Sequence, residues 1–370
     1  MAWKVPYINY PLQYKKLRTS ILETIDEVLT KGDVMLRGQL RDFEAGLAAF
    51  VGTKYAVGTS NCTDAMHMTL RAAGVGPGDE VITVSHTFVA TAAAIHHAGA
   101  EPVLVDIGPD HNMDPEAAEA AVTPRTKAIM PVHLNGRLCD MDRVTEIAQK
   151  HSLLVIEDTA QALGGSFKGI KGGNWGLGGC FSFYPAKLLG TYGDGGALVT
   201  NDEELAQKVM RLRDHGRLPN GDVEGWSFNC RLDNLHAAIL DLKLKDVPSW
   251  IERRREIAGL YHARLSGLDQ ILLPPPPATD DLYFDVYQNY EIEAEDLKGL
   301  RAHLHDKGIE TMVPWGGKGV HQFPALGLTH FSLPETERVF SRALMLPLHC
   351  ELTDGQVEYT AESVRDFYGL

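Results

Sequence analysis

Lys187 stands in the stretch FSFYPAKLLGTYGDGGALVTND, residues 181–202, just after a proline and between apolar residues rather than on a charged face. A lysine withdrawn from water gives up its proton more readily, and the free amine is both a base and a nucleophile toward carbonyl carbon. Earlier in the chain the apolar run LLVIED ends in Asp158. A carboxylate in such a place is disfavoured by desolvation unless hydrogen bonds or a cation hold it ionised. Asp158 therefore either caps the next helix or faces a cation. A third segment, GTSNCTDAMHMTL at residues 58–70, offers Ser60, Asn61 and Thr63 as helix N-caps. The unpaired N–H groups of a helix start also suit a phosphate, although on this segment alone plain capping is the favoured reading.

These pieces have a chemistry in common. An aspartate facing a protonated pyridine nitrogen makes pyridoxal phosphate an electron sink, and a desolvated lysine forms the Schiff base with its aldehyde. Ser182 offers a hydroxyl to a phosphate, and the glycines of GTYGDGGA let backbone pass close to a cofactor. Phe88, in VSHTFVAT, either packs in the core or stacks on an aromatic ring.

The elements that must position these residues follow from the pattern. Short β-branched or apolar runs at 79–84, 101–107, 127–133, 152–158 and 196–202 predict strands; the third ends in His133 and the fourth in Asp158. Helical patterns lie between strands at 63–73, 90–98, 115–121 and 142–150. This alternation predicts a large α/β domain with a mostly parallel central sheet flanked by helices, whose ligand site lies at the carboxyl ends of the strands. A helical, charge-rich stretch at 232–265 leads into a smaller C-terminal α+β domain. The boundaries expected are 1–245 for the N-terminal arm and large domain, and 246–370 for the small one. The proline run LLPPPPATDD at 272–281 predicts an extended, exposed link.

Composition narrows the class further. The 370 residues are 44% hydrophobic and 23% charged, as in an ordinary globular protein. A formal net charge of −14 argues against nucleic-acid binding, which needs clustered lysine and arginine. No apolar run is long enough for a membrane span and no signal-type leader is present, so a cytoplasmic protein is expected. The five cysteines are scattered without a CxxC pair, and no disulfide framework or metal site is expected.

The ordered set EAGLAAFVGTKYAVGTSNCTDAMHMTLRAAGVGPGDEVITVSHTFVATAAAIHHAGAEPVLVDI, PVHLNGRLCDMD, VIEDTAQALGG, FSFYPAKLLGTYGDGGALVTND and RLDNLHAAIL resembles the DegT/DnrJ/EryC1/StrS sugar aminotransferase family. That family is a branch of the aspartate-aminotransferase-like, fold-type I pyridoxal phosphate enzymes. The resemblance implies Lys187 as the Schiff-base lysine, Asp158 as the partner of the pyridine nitrogen, Gln161 at the ring hydroxyl and Phe88 stacked on the ring. It implies a phosphate held by Ser182, by the N–H groups of Cys62 and Thr63, and by Asn229 reaching in from a second subunit, hence a homodimer with shared active sites. The implied reaction moves an amino group from glutamate to a keto carbon of a nucleotide-linked deoxysugar, with pyridoxamine phosphate as the intermediate cofactor form.

Some positions depart from the family pattern. Cys62 replaces a usual glycine, so a phosphate contact there requires a φ that cysteine can adopt. Asn135 stands where tyrosine is usual and is followed closely by Arg137, and the 313–324 loop, VPWGGKGVHQFP, fits poorly. Trp315, Lys318 and His321 in that loop either contact a nucleotide diphosphate or form a surface turn. The competing readings are a deoxysugar dehydratase of the same fold, in which histidine typically replaces the lysine, and a non-catalytic cofactor-binding regulator. A nicotinamide oxidoreductase fails, because GLGGCF has the wrong glycine spacing and precedes no helix.

Overall fold

The computed structural model describes residues 3–278 and 282–369. Seven strands form the large sheet, in the order Tyr55–Thr59, Gly196–Thr200, Gly178–Ser182, Leu154–Asp158, Thr126–Ile129, Glu80–Val84 and Glu101–Val105. Every neighbouring pair is parallel except the two made by Gly196–Thr200, which runs antiparallel to both its neighbours. The strands are apolar along their length because both faces are covered: Val81, Ile82, Ala128, Ile129 and Ile156 have no exposed surface.

The helices between strands sit close to their expected places. Ala90–Ala98 matches exactly, and Cys62–Ala72, Pro115–Ala120 and Met141–His151 differ by a residue or so at their ends. Three of them start on side-chain caps: Asn61 accepts from Asp64 N–H, Asp114 from Glu116 N–H and Asp140 from Arg143 N–H. The expected strand at 127–133 stops at Ile129, since Pro131 has no N–H to give the ladder. Two strands of this sheet were absent from the expected set, Tyr55–Thr59 and Gly178–Ser182. The second begins with two glycines, which carry no strand signal.

The stretch at 232–265 is two helices, Asn234–Leu244 and Val247–Leu265; Pro248 lies in the first turn of the second, where its missing N–H is harmless. Before the large sheet come the helices Tyr10–Lys31 and Gly38–Val51. A small antiparallel sheet, Ile271–Leu272, Tyr290–Ala294 and Ala343–Leu346, backs onto Val247–Leu265, Leu297–Asp306 and Asp354–Phe367 around a core that includes Tyr261, Tyr290, Leu300 and Val364. Val5 joins this core by bridging to Ile309, so the N-terminal segment crosses from one sheet to the other. Of the proline run, residues 279–281 lie outside the described residues. Pro274, Pro275 and Pro277 are half-buried rather than exposed, and the Pro275 carbonyl accepts from Tyr287 Oη.

Candidate active site

Above the carboxyl ends of the parallel strands lies a cavity of about 550 Å³, in the size range of small-molecule sites. Asp158, at the end of its strand, is 5% exposed and lines it. Its carboxylate accepts from Thr91 Oγ1 at 2.8 Å and from Ala160 N–H at 3.1 Å. Thr91 is itself 2.7 Å from Thr87 Oγ1. Burial pushes the Asp158 pKa up, opposed by these hydrogen bonds and by the charge of Lys187.

Lys187 enters the same cavity from a turn after the strand Gly178–Ser182. Burial pushes its pKa down, against the attraction of Asp158 and Cys62. The turn is fixed on both sides of the lysine. Lys187 N–H donates to the Tyr184 carbonyl at 2.8 Å, while Gln288 accepts from Leu188 N–H at 2.8 Å and donates to the Ala186 carbonyl at 2.9 Å. Gly190 closes the turn against the Pro185 carbonyl, where a Cβ would clash.

The helix Cys62–Ala72 points its start into the cavity, and Cys62 and Thr63 both line it. As the first two helical residues, their N–H groups have no intrahelical acceptor. Cys62 keeps an ordinary helical backbone, because the left-handed conformation appears elsewhere and not at this residue. The clearance comes instead from Gly196, whose Cα sits against the Asn61–Cys62 peptide so closely that a Cβ would overlap it. The Cys62 thiol is buried, 3.4 Å from the Cys180 carbonyl, and burial raises its pKa well above the ordinary value. Ser182 and Phe88 also line the cavity, and Phe88 is 56% exposed.

Gln161 lies at the far wall. Its Oε1 accepts from Asn135 N–H at 2.8 Å and from Asn289 Nδ2 at 3.3 Å, and Asn289 reaches Asn135 Oδ1 at 2.8 Å and accepts from Tyr7 Oη at 3.1 Å. Asn135 adopts φ 54°, a conformation that asparagine tolerates better than tyrosine.

Of the remaining sequence candidates, one lines the cavity and the others fall outside it. Trp315 lines the cavity. Lys318 is exposed and outside the cavity wall, and His321 is buried between Ser85 Oγ at 2.6 Å and Glu337 at 3.2 Å. His133 is buried against Glu157 at 3.0 Å, with Glu157 also holding the N–H groups of Gly173, Trp175 and Gly176. Asn229 is exposed and does not line its own chain's cavity. Tyr192 and Asp194, in the glycine-rich turn, do different things: Asp194 lines the cavity, and the Tyr192 ring lies 5.1 Å from Lys243 Nζ. Lys243 is fully buried and donates to the Gly190 carbonyl.

Sequence reasoning missed Thr91 and Gln288, whereas Gly196 is among the glycines of GTYGDGGA expected to allow close backbone approach. Thr91 lies one helical turn beyond Phe88, a spacing that offers a weak signal. Gln288 is brought in from a remote part of the chain, and no local pattern marks it.

A desolvated lysine opposite a buried aspartate, beside an open helix start at the end of a mostly parallel sheet, is the architecture of aspartate-aminotransferase-like enzymes. The residues present fit pyridoxal phosphate: an anion for a ring nitrogen, an amine for an aldehyde, free N–H groups for a phosphate and an uncovered aromatic ring. The chain belongs to the DegT/DnrJ/EryC1/StrS aminotransferase family, whose model matches residues 15–365. It is 42% identical to a pleiotropic regulatory protein of Geobacillus stearothermophilus, over 98% of each chain. It is 39% identical to a dTDP-3-amino-3,4,6-trideoxy-alpha-D-glucose transaminase of Streptomyces venezuelae, covering 98% of this chain and 96% of that protein. The crystal structure of S. venezuelae DesV in complex with a ketimine intermediate superposes with a TM-score of 0.94 at 38% identity, covering 99% of this chain and 98% of that one.

Proposed function

We propose that this protein is a pyridoxal phosphate-dependent aminotransferase that moves an amino group from glutamate to a keto carbon of a nucleotide-linked deoxysugar. The observation that carries the reading is the convergence of Lys187 and Asp158 on one cavity, with each group's pKa displaced by burial and opposed by the other's charge. When bound, pyridoxal phosphate supplies the carbonyl that takes up the amino group and the ring that delocalises the electron pair left on carbon.

The protein's part is to bind, orient and move protons. Asp158, kept anionic by Thr91 and Ala160, holds a proton at the ring nitrogen. The Cys62 and Thr63 N–H groups with Ser182 Oγ would hold the phosphate, Phe88 would cover a ring face, and Gln161 would meet the ring hydroxyl. The Lys187 amine, with a lowered pKa, would take the proton from the donor's α-carbon and return it to the carbon on the other side of the amino nitrogen, and would run the transfer backwards in the second half-reaction. Trp315 is the substrate contact retained in the cavity wall.

The reading includes a homodimer in the cytoplasm with Asn229 of the partner subunit completing the phosphate site. Its support is the exposed position of Asn229, in a loop whose Trp226 is 100% exposed, a costly arrangement for an isolated chain. The division of labour between a domain ending near residue 245 and a smaller one after it places Gln288 and Trp315 on the second body, facing Lys187 on the first.

One relative named as a regulatory protein raises a non-catalytic reading, and a single experiment separates the two. Glutamate added to the cofactor-loaded protein bleaches the visible absorbance, and a nucleotide keto sugar restores it. A panel of dTDP- and UDP-linked ketoses then ranks substrates. Absorbance unchanged by glutamate contradicts transamination; bleaching without recovery on any keto sugar contradicts the substrate class.

A further inference from the structure

Behind the cofactor cavity, where the two sheets meet, His86, His111 and Glu291 bring three possible ligand atoms within 4.8 Å of one another. We propose that they form a binding site for a divalent ion of the zinc type. His86 and His111 follow the large-sheet strands Glu80–Val84 and Glu101–Val105, and Glu291 lies on the small-sheet strand Tyr290–Ala294. Glu291 Oε1 is 3.0 Å from His111 Nδ1 and 3.6 Å from His86 Nε2, about the spacing of neighbouring ligands around a tetrahedral ion with bonds of about 2.0–2.1 Å.

Two independent features point to a missing partner. His86 is 0% exposed and Glu291 is 2% exposed, yet His86 Nε2 and Glu291 Oε2 have no hydrogen-bond partner among the described residues. Orphaned polar atoms this deep are unfavourable, and a cation held by His86 Nε2 and the Glu291 carboxylate compensates both residues. Second, each histidine's other nitrogen already has an outer acceptor. His86 Nδ1 is 3.4 Å from the His111 carbonyl, and His111 Nε2 is 3.1 Å from Glu293, which Arg338 grips in turn. This is how proteins orient imidazoles for a metal; it leaves His86 Nε2 open, while His111 Nδ1 exchanges its contact with Glu291 Oε1 for the ion.

Two imidazoles and one carboxylate are a zinc donor set with a fourth position for water. Glu291 and His111 also border a cavity of about 50 Å³ with Asn135, which has room for that water. On loading, the ion replaces the proton that the cluster otherwise holds between His111 and Glu291. An ion shared by both sheets staples the small sheet over the cofactor cavity, with His86 backing Trp315 at a ring distance of 5.6 Å.

The test uses the full, cofactor-loaded protein. After incubation with zinc and gel filtration, elemental analysis should find about one zinc per chain in the wild type and only background in Glu291→Gln. Glu293→Gln, which removes the outer carboxylate alone, should weaken zinc affinity by about 10–100-fold without abolishing binding. Cobalt(II) added to the wild type should give the intense visible bands of a four- or five-coordinate ion, a readout that does not depend on the variants folding. Wild-type zinc no higher than Glu291→Gln, or a cobalt spectrum that is only that of the hydrated ion, overturns the site and leaves a proton-held ion network in its place.

Discussion

Gln288 is the residue through which the structure predicts control of Lys187 from a distance. Its side chain spans the lysine, accepting from Leu188 N–H on one side and donating to the Ala186 carbonyl on the other. In Gln288→Leu both groups lose their partner. The buried Leu188 N–H forfeits about 1–3 kcal/mol, and the half-buried Ala186 carbonyl, which water can reach, about 0.5–1.5, giving roughly 2–4 kcal/mol of destabilisation at the turn. The turn relaxes by shifting, and a displacement of about 1 Å in a reacting group costs about a hundredfold in rate. Stopped-flow bleaching by glutamate should therefore show a rate constant lower by about 10–100-fold, together with a lower Tm. Gln288→Glu keeps the acceptor for Leu188 and loses the donor to Ala186, so its defect should lie between wild type and Gln288→Leu. A Gln288→Leu protein with a lower Tm and an unchanged bleaching rate would refute the positioning argument, because the turn would then be shown to hold without the clamp.

Other predictions concern the groups around this turn. Thr91→Val removes a hydrogen bond that opposes the burial-raised pKa of Asp158, so the acid limb of the rate profile should move to higher pH; a profile that stays in place would contradict the assignment. Lys243 has its pKa lowered from 10.5 to about 8 by burial, so between those values the unfolded chain binds more protons than the folded one and stability rises with pH. This contribution is complete above the unfolded value and is lost as pH falls to about 8; it amounts to about 3 kcal/mol, and should be missing from the pH dependence of Tm in Lys243→Met. Gly196→Ala forces a Cβ into the Asn61–Cys62 peptide and should weaken cofactor binding, measured by equilibrium titration, more than it lowers kcat at saturating cofactor.

The sequence exposed the framework and the chemistry unevenly. The apolar runs within 101–107 and 152–158 mark strands, and Asp158 stands out as the polar end of the second. Gly178–Ser182 carries no such mark, since GGCFS trades strand-forming side chains for close backbone approach. The split at Lys245–Asp246 was hidden because a first-turn proline is compatible with helix on its carboxyl side. Lys187 and Asp158 were legible from their local company. Their supports, Thr91 and Gln288, were not, because each acts through a contact between segments far apart in the chain. His321 and Lys318 illustrate the converse: a loop rich in aromatic and cationic residues looks like a binding surface, while the fold sends one inward against Ser85 and leaves the other outside the cavity.

The central claim is that Lys187, and no other lysine, joins the cofactor. Borohydride reduction of the pyridoxal phosphate-loaded protein, followed by proteolysis and mass spectrometry, tests it without relying on any substrate. A phosphopyridoxyl group is expected on the peptide that carries Lys187. The same label on the buried Lys243, on any other lysine, or on none would contradict it.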